Sequence, residues 1–233
     1  MTALILDTEA HDLNNPCATE VAYMDCHIQN LTDNLPVFCQ RYNPLTPISL
    51  GAMAVTGICD EDVAGCPAHT SFRLPANTAY IIGHNIDFDA KVLANAGVDI
   101  SNIKFICTLA MSRELLPDLN THELVALLYH LDKPYAREHA RNAHSAMHDV
   151  IFTQKVLKGL MGLAVQLYGD RMYDMETLYQ FSEYARIPKT MPFGKHKGVA
   201  IAELPVDYTN WAVANLTDMD KYLRGALESR LAQ

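Results

Sequence analysis

The stretch LILDTEA, Leu4–Ala10, runs three large aliphatic residues straight into two carboxylates, Asp7 and Glu9, one residue apart. A short aliphatic run of this kind reads as a core strand. In a strand, residues two apart share a face, so Asp7 and Glu9 project together, roughly 7 Å apart at Cα, with Thr8 on the opposite face. Two anions at the end of a buried strand repel each other, and burying unpaired charge is costly. Such a pair persists where cations or a metal compensate it, or where the strand end opens onto solvent. The stretch alone leaves both readings open.

Working outward, strand-like runs recur at Glu20–Ile28 and Pro36–Tyr42, separated by Asn-, Pro- and Asp-rich turns, which predicts an opening β-meander. A Pro-bounded segment, PISLGAMAVTGICDEDV, predicts short helical turns. A fourth strand, Ala79–Gly83, leads into HNIDFDAKVLANAG, where Phe88, Val92 and Leu93 recur at helical spacing and Gly97 ends the helix. A fifth strand, Ile103–Cys107, precedes a helix closed by Pro117, then a helix over Glu123–Leu131 and a long one over Ala146–Gly162. Strands first, then strands alternating with helices, predict an α/β domain with a mixed sheet over residues 1–168. Residues 169–233 read as a linker and a small module. Around Arg186–Gly198 (RIPKTMPFGKHKG) there are four basic residues and no acidic ones, and two short amphipathic helices follow.

The 233 residues suffice for one substantial core plus an appendage, and the composition (49% hydrophobic, 19% charged) is that of a globular protein. The chain shows no signal-peptide pattern and no apolar run approaching the roughly 20 residues that span a bilayer, so no membrane role and a cytoplasmic location are expected. The six cysteines form no CxxC pair and are expected to be small buried hydrophobes rather than zinc ligands or disulfides. A net charge of −9 argues against coating nucleic acid through a broad basic surface. It leaves room for an enzyme that handles phosphates through bound metal ions.

Further candidates are Asp87 and Asp89 at a strand–helix junction, and His144, His148 and Asp149 near the start of the last long helix. An acidic residue in a first helical turn commonly serves the helix dipole, and a lone histidine is commonly structural. Their order is more telling. Asp7-Thr8-Glu9, then His84-Asn85-x-x-Phe88-Asp89-x-x-x-Leu93, then His144-x4-Asp149 resemble the three motifs of the DEDDh 3′→5′ exonucleases, over about the first 165 residues. The PISLGAMAVTGI segment, Cys107-Thr108 and the PFGKHKG tail resemble the exodeoxyribonuclease X branch of that family.

The resemblance implies an RNase H-like mixed five-stranded sheet flanked by helices, two Mg²⁺ ions with Mn²⁺ as a substitute, and release of nucleoside 5′-monophosphates from DNA 3′ ends, single-stranded or duplex. It implies Asp7, Glu9 and Asp149 as ligands of one ion, Asp7 also reaching the second, Asp89 supporting that second ion, and His144 as general base. Hard oxygen ligands suit Mg²⁺, and a pair of such ions about 4 Å apart suits phosphodiester hydrolysis. The family pattern selects Asp89, directly after Phe88, over Asp87. It selects His144 over His148, although five helical residues give about 140° of rotation and do not by themselves put His144 beside Asp149. Implied substrate contacts are Thr8, Leu13 and Asn85, with Lys195 and Lys197 of the tail on phosphate or merely shaping a turn. Ala10-His11-Asp12-Leu13 departs from the usual Thr-Thr-Gly-Leu, and Thr56 stands where a His is usual. RNA 3′-end trimming and a non-catalytic, polymerase-associated module are the alternatives, a DNA-repair role follows only from the resemblance, and oligomeric state is not legible.

Overall fold

The computed structural model describes residues 2–32, 35–217 and 219–232. The chain forms two compact units, residues 1–182 and 183–233.

In the first unit, β1 (Thr2–Ala10) is the central strand of a five-stranded sheet ordered β3-β2-β1-β4-β5. β2 (Ala18–Asp25) and β3 (Phe38–Arg41) continue antiparallel from it, giving the expected meander, while β4 (Thr78–Gly83) and β5 (Lys104–Cys107) add in parallel on the other side. The register sets Asp7 opposite Ala22 and Glu9 opposite Glu20, with a bulge between Glu9 and Ala10. The helices of the unit are α1 (Leu50–Thr56), α2 (Asp60–Val63), α3 (Asp87–Asn95), α4 (Thr108–Leu115), α5 (Leu124–Leu131), α6 (Lys133–His139), α7 (Ala146–Tyr168) and α8 (Met175–Ala185), the last running across the boundary.

The alternation of β1 assigns its two faces. Ala3 and Ile5 join Ala22, Met24, Ile82 and Ile106 in one cluster with Phe152, Val156, Leu157 and Leu160 of α7. Leu4 and Leu6 are fully buried on the opposite side of the strand, and α3 also packs against β1. Every odd-numbered side chain of β1, Asp7 and Glu9 included, therefore points towards α7. Gly83 lets β4 end close to β1, since a Cβ there would lie 2.4 Å from Ile86 Cδ1 and 3.0 Å from the Leu6 carbonyl oxygen.

Three expectations are corrected. The first unit extends past residue 168 because Met172 and Leu178 enter its core. Ser182 Oγ accepts from the Cys107 N–H at 2.8 Å, and Glu176 accepts from Lys104 Nζ at 2.5 Å and Tyr80 Oη at 2.8 Å. Of the cysteines, Cys26 and Cys107 are buried, but Cys17, Cys59 and Cys66 are partly exposed and Cys39 is exposed; all six are free thiols. Helix α7 has an 18-residue window apolar enough to cross a membrane, and half of that window is buried within the protein, as in a core helix.

The second unit has its own core of Met191, Ile201, Leu204, Ala212, Leu223 and Leu227, built by α9 (Val206–Asn215), α10 (Lys221–Leu231) and the preceding turns. Arg224 of α10 donates to the carbonyls of Val213 and Leu216, capping the end of α9.

Candidate active site

Strand β1 carries its polar end between two helices. On the α7 side, Asp7, Glu9 and Asp149 each offer a carboxylate oxygen within 4.8 Å of the others. On the other face the Thr8 hydroxyl, buried, donates to Asp89 Oδ1 of α3 at 2.7 Å. Asp89 is thus held beside the cluster from the opposite direction, and its charge still acts on Asp7.

Asp149 is placed by the start of α7. Its backbone N–H bonds to the Ser145 carbonyl, and its Oδ2 accepts from the backbone N–H of His144 at 3.1 Å. His144 adopts a left-handed conformation, φ 66°, one residue before the Ser145 N-cap. The histidine therefore precedes the helix, so the unfavourable helical rotation does not apply. Asp149 Oδ1 is buried and accepts no hydrogen bond among the described residues. A buried, unpartnered carboxylate oxygen facing two further carboxylates is a donor set suited to a hard divalent cation.

Without a cation the cluster holds protons. Burial, then the charges of Asp89, Asp149, Glu9 and Glu20, push Asp7 well above the usual carboxylate range. Burial, then Asp149, Glu20 and Asp89, push Glu9 up to about 8. Burial raises Asp89 to about 7 against the hydrogen bonds from Thr8, and Asp149 to about 6 against the His144 N–H.

The sequence of this domain matches the exonuclease family RNase_T over residues 4–157. The chain belongs to that exonuclease family. The family is of the DEDD type, acting 3′→5′, and the five-stranded sheet is RNase H-like. Among solved structures, exonuclease X in complex with 5′ overhanging duplex DNA is 22% identical at a TM-score of 0.57, covering 77% of this chain and 99% of that one. The zinc-bound complex of E. coli ExoI with single-stranded DNA is 21% identical at a TM-score of 0.53, covering 81% of this chain and 43% of that one. Both likenesses are of fold. A second family, described by quorum-sensing regulation and virulence, matches residues 182–216. No curated protein matches the chain.

Two clefts flank the carboxylates of this exonuclease domain. One, of about 960 Å³, is lined by His84, Asn85, Arg113, Arg141, His144 and Asp149 among others. The other, of about 610 Å³, is lined by Glu9, Leu13, Ser49, Val55, Thr56 and Phe88 among others, and Leu13 is 82% exposed there. Of the residues singled out in the sequence, Asp7, Glu9, Asp89, His144 and Asp149 thus meet at one strand end, and Leu13 and Asn85 sit in the two adjoining clefts. Thr8 is committed to Asp89 rather than open to a ligand. Asp87 lies in the first turn of α3, and His148 packs 6.3 Å from the Phe152 ring. Lys195 and Lys197 belong to the second unit.

Two features were not foreseen. Glu20, across the ladder from Glu9, is buried, accepts from the Ala146 N–H of α7 at 3.0 Å and lies 3.6 Å from Arg41 Nε. It adds a further negative charge and ties the start of α7 to the sheet; pairing the opening hairpin residue by residue would have found it. His84 Nε2 lies 2.9 Å from the His122 carbonyl oxygen, which can only accept, so Nε2 carries the hydrogen. Burial lowers its pKa to about 4, so the ring is neutral, and Nδ1 lies 3.0 Å from the Thr108 hydroxyl, whose one hydrogen also faces the Gly83 carbonyl oxygen at 3.1 Å. These contacts fix one wall of the larger cleft.

Proposed function

We propose that the chain hydrolyses phosphodiester bonds at DNA 3′ ends, releasing nucleoside 5′-monophosphates, with two Mg²⁺ ions as cofactor. The convergence of Asp7, Glu9 and Asp149 around an unpartnered buried oxygen, with Asp89 beside them, is the observation that carries this reading. Asp7, Glu9 and Asp149 would hold one cation, and Asp7 with Asp89 would support the second. Bound cations supply activation of the attacking water and neutralisation of charge at phosphorus.

The chain's own residues do the rest. The His144 imidazole, at the rim of the cleft that contains Asp149, takes the proton as the water oxygen bonds to phosphorus and the P–O3′ bond breaks. Leu13 and Phe88 give an apolar rest for the terminal base, and Asn85 offers an amide to the strand. Arg113 and Arg141 bring positive charge to an otherwise acidic site. Domain membership supports nuclease chemistry, and the DNA in both structural neighbours supports DNA as substrate.

A 5′-labelled single-stranded DNA oligonucleotide, incubated with Mg²⁺ or with EDTA, tests the reading. Shortening from the 3′ end is expected for the wild type with metal and for neither the EDTA sample nor Asp7→Asn. Cleavage of a matched RNA at a higher rate would move the substrate to RNA. Inertness on both with Mg²⁺ and Mn²⁺ would leave a binding module.

A further inference from the structure

The second unit carries a surface that hydrolysis does not use. The rings of His196, Tyr208 and Trp211 follow one another, with centroids 4.3 Å and 5.9 Å apart. Trp211 is 52% exposed and Phe193 45% exposed. Lys195 and Lys197 flank His196, are exposed, and have no side-chain ion pair or hydrogen bond among the described residues. From 184 to 202 the chain has four lysines and arginines and no acidic residue, in a protein whose net charge is −9.

Packing accounts for part of this turn but not for its surface. Gly194 and Gly198 take positive φ, 72° and 83°, which explains the glycines. The Met191 N–H bonds to the Val199 carbonyl and the Gly198 N–H to the Met191 carbonyl, while Met191 and Ile201 anchor the turn in the core. None of these contacts needs two free lysines or a half-exposed tryptophan. Aromatic faces beside free cations suit a chain of phosphates with accessible bases: the rings stack on bases and the cations meet phosphate. A duplex hides its base faces, and the acidic Asp207 beside Tyr208 leaves the pull on phosphate to the lysine turn.

We propose that the second unit is a single-stranded nucleic-acid platform in which the exposed Trp211, backed by the core-packed Tyr208, stacks on a base while Lys195 and Lys197 hold the backbone. The proposal takes only its ligand class from the exonuclease reading and needs no hydrolysis.

Trp211 is the chain's one tryptophan, so its emission reports on this surface alone. The full-length protein in EDTA is titrated with a 5′-labelled oligo-dT strand, following label anisotropy and tryptophan emission in the same sample. Saturable quenching is expected, absent with a blunt duplex. Lys195→Gln with Lys197→Gln should weaken binding and reduce the slope of log K against log salt by about 1.4, at about 0.7 per phosphate contact. Trp211→Ala should weaken binding roughly 5- to 100-fold, as removal of a stacked base partner does, and Trp211→Phe should restore part of it. Unchanged melting curves would show that these exposed substitutions leave the fold intact.

No binding, binding that saturates without a change in emission, variants that bind as wild type, or equal quenching by the duplex would each overturn the proposal. Quenching without digestion in Mg²⁺ would sink the exonuclease reading and leave this one standing. Digestion without quenching would do the reverse.

Discussion

His144, the proposed general base, precedes helix α7 rather than lying on one of its faces. Its left-handed φ and its N–H bond to Asp149 put the imidazole outside the first turn of α7, while His148 turns inward to Phe152. His144→Ala should lower kcat by roughly 10²–10⁴-fold, the range for loss of a general base. His148→Ala should leave kcat within a few-fold, and the opposite pattern in steady-state kinetics would reassign the base. Thr8 makes a second test at this scale. Its hydroxyl is the buried donor that favours the Asp89 carboxylate, which burial already holds at about 7. Thr8→Val keeps the shape and removes the donor, worth about 1.5–3 kcal/mol for a bond to a charged group. Without the donor Asp89 holds its proton more tightly, so more Mg²⁺ should be needed for half-maximal activity at pH 7, with a smaller difference from wild type at pH 9. Mg²⁺ titrations that overlay the wild type at both pH values would show that Thr8 does not serve Asp89.

Among the elements, β1 is held in position from both sides, and the end of β4 must approach it closely. Gly83→Ala would push a methyl into Ile86 and the Leu6 carbonyl, where the side chain can yield and the backbone cannot. A loss of about 1–3 kcal/mol is expected, several degrees in Tm for a chain of this size. An unchanged melting temperature would mean that the β4 end is free to shift. The strands, α3, α4, α5 and α7 were legible because their apolar spacing is strong and their ends are marked by Gly97, Pro117 and the polar entry to α7. Two helices were not. Pro134 looks like a breaker, yet it occupies the first turn of α6, where a missing N–H costs nothing, and Asp132 caps that helix by accepting from the Tyr135 N–H. Helix α8 has apolar residues of its own, with Leu178 in the core and Met175, Tyr179 and Phe181 packed against it, but it lies beyond the long α7, where the chain reads as a linker, and only the fold brings Glu176 to Lys104 and Tyr80. The acidic residues were legible as motifs, because chemistry fixes their identity. Glu20 and the His84–Thr108 contact were not, because only register and tertiary packing bring them to the site.

At the scale of the whole molecule, the carboxylate cluster makes stability depend on pH and metal together. Glu9 near 8, Asp89 near 7, Asp149 near 6 and Asp7, also raised, all lie above the usual unfolded values of about 4. Their folded forms bind protons more tightly than the unfolded chain does. Their contribution is therefore fully present below about pH 4 and is lost as pH rises through roughly 6 to 8 in the absence of metal. A divalent cation replaces those protons, so binding should release protons near pH 7 and stabilise most where the bare cluster is most strained. Thermal unfolding in EDTA and in saturating Mg²⁺ at pH 5.5 and 8.5 measures this. The rise in Tm caused by Mg²⁺ should be clearly larger at pH 8.5. In EDTA, Asp7→Asn should be more stable than wild type at pH 8.5, with a smaller gap at pH 5.5, because it removes one of the repelling charges. Equal metal-induced shifts at both pH values, or an Asp7→Asn variant less stable in EDTA at pH 8.5, would mean that the four carboxylates are a structural network with its own compensation rather than a proton-linked cation site.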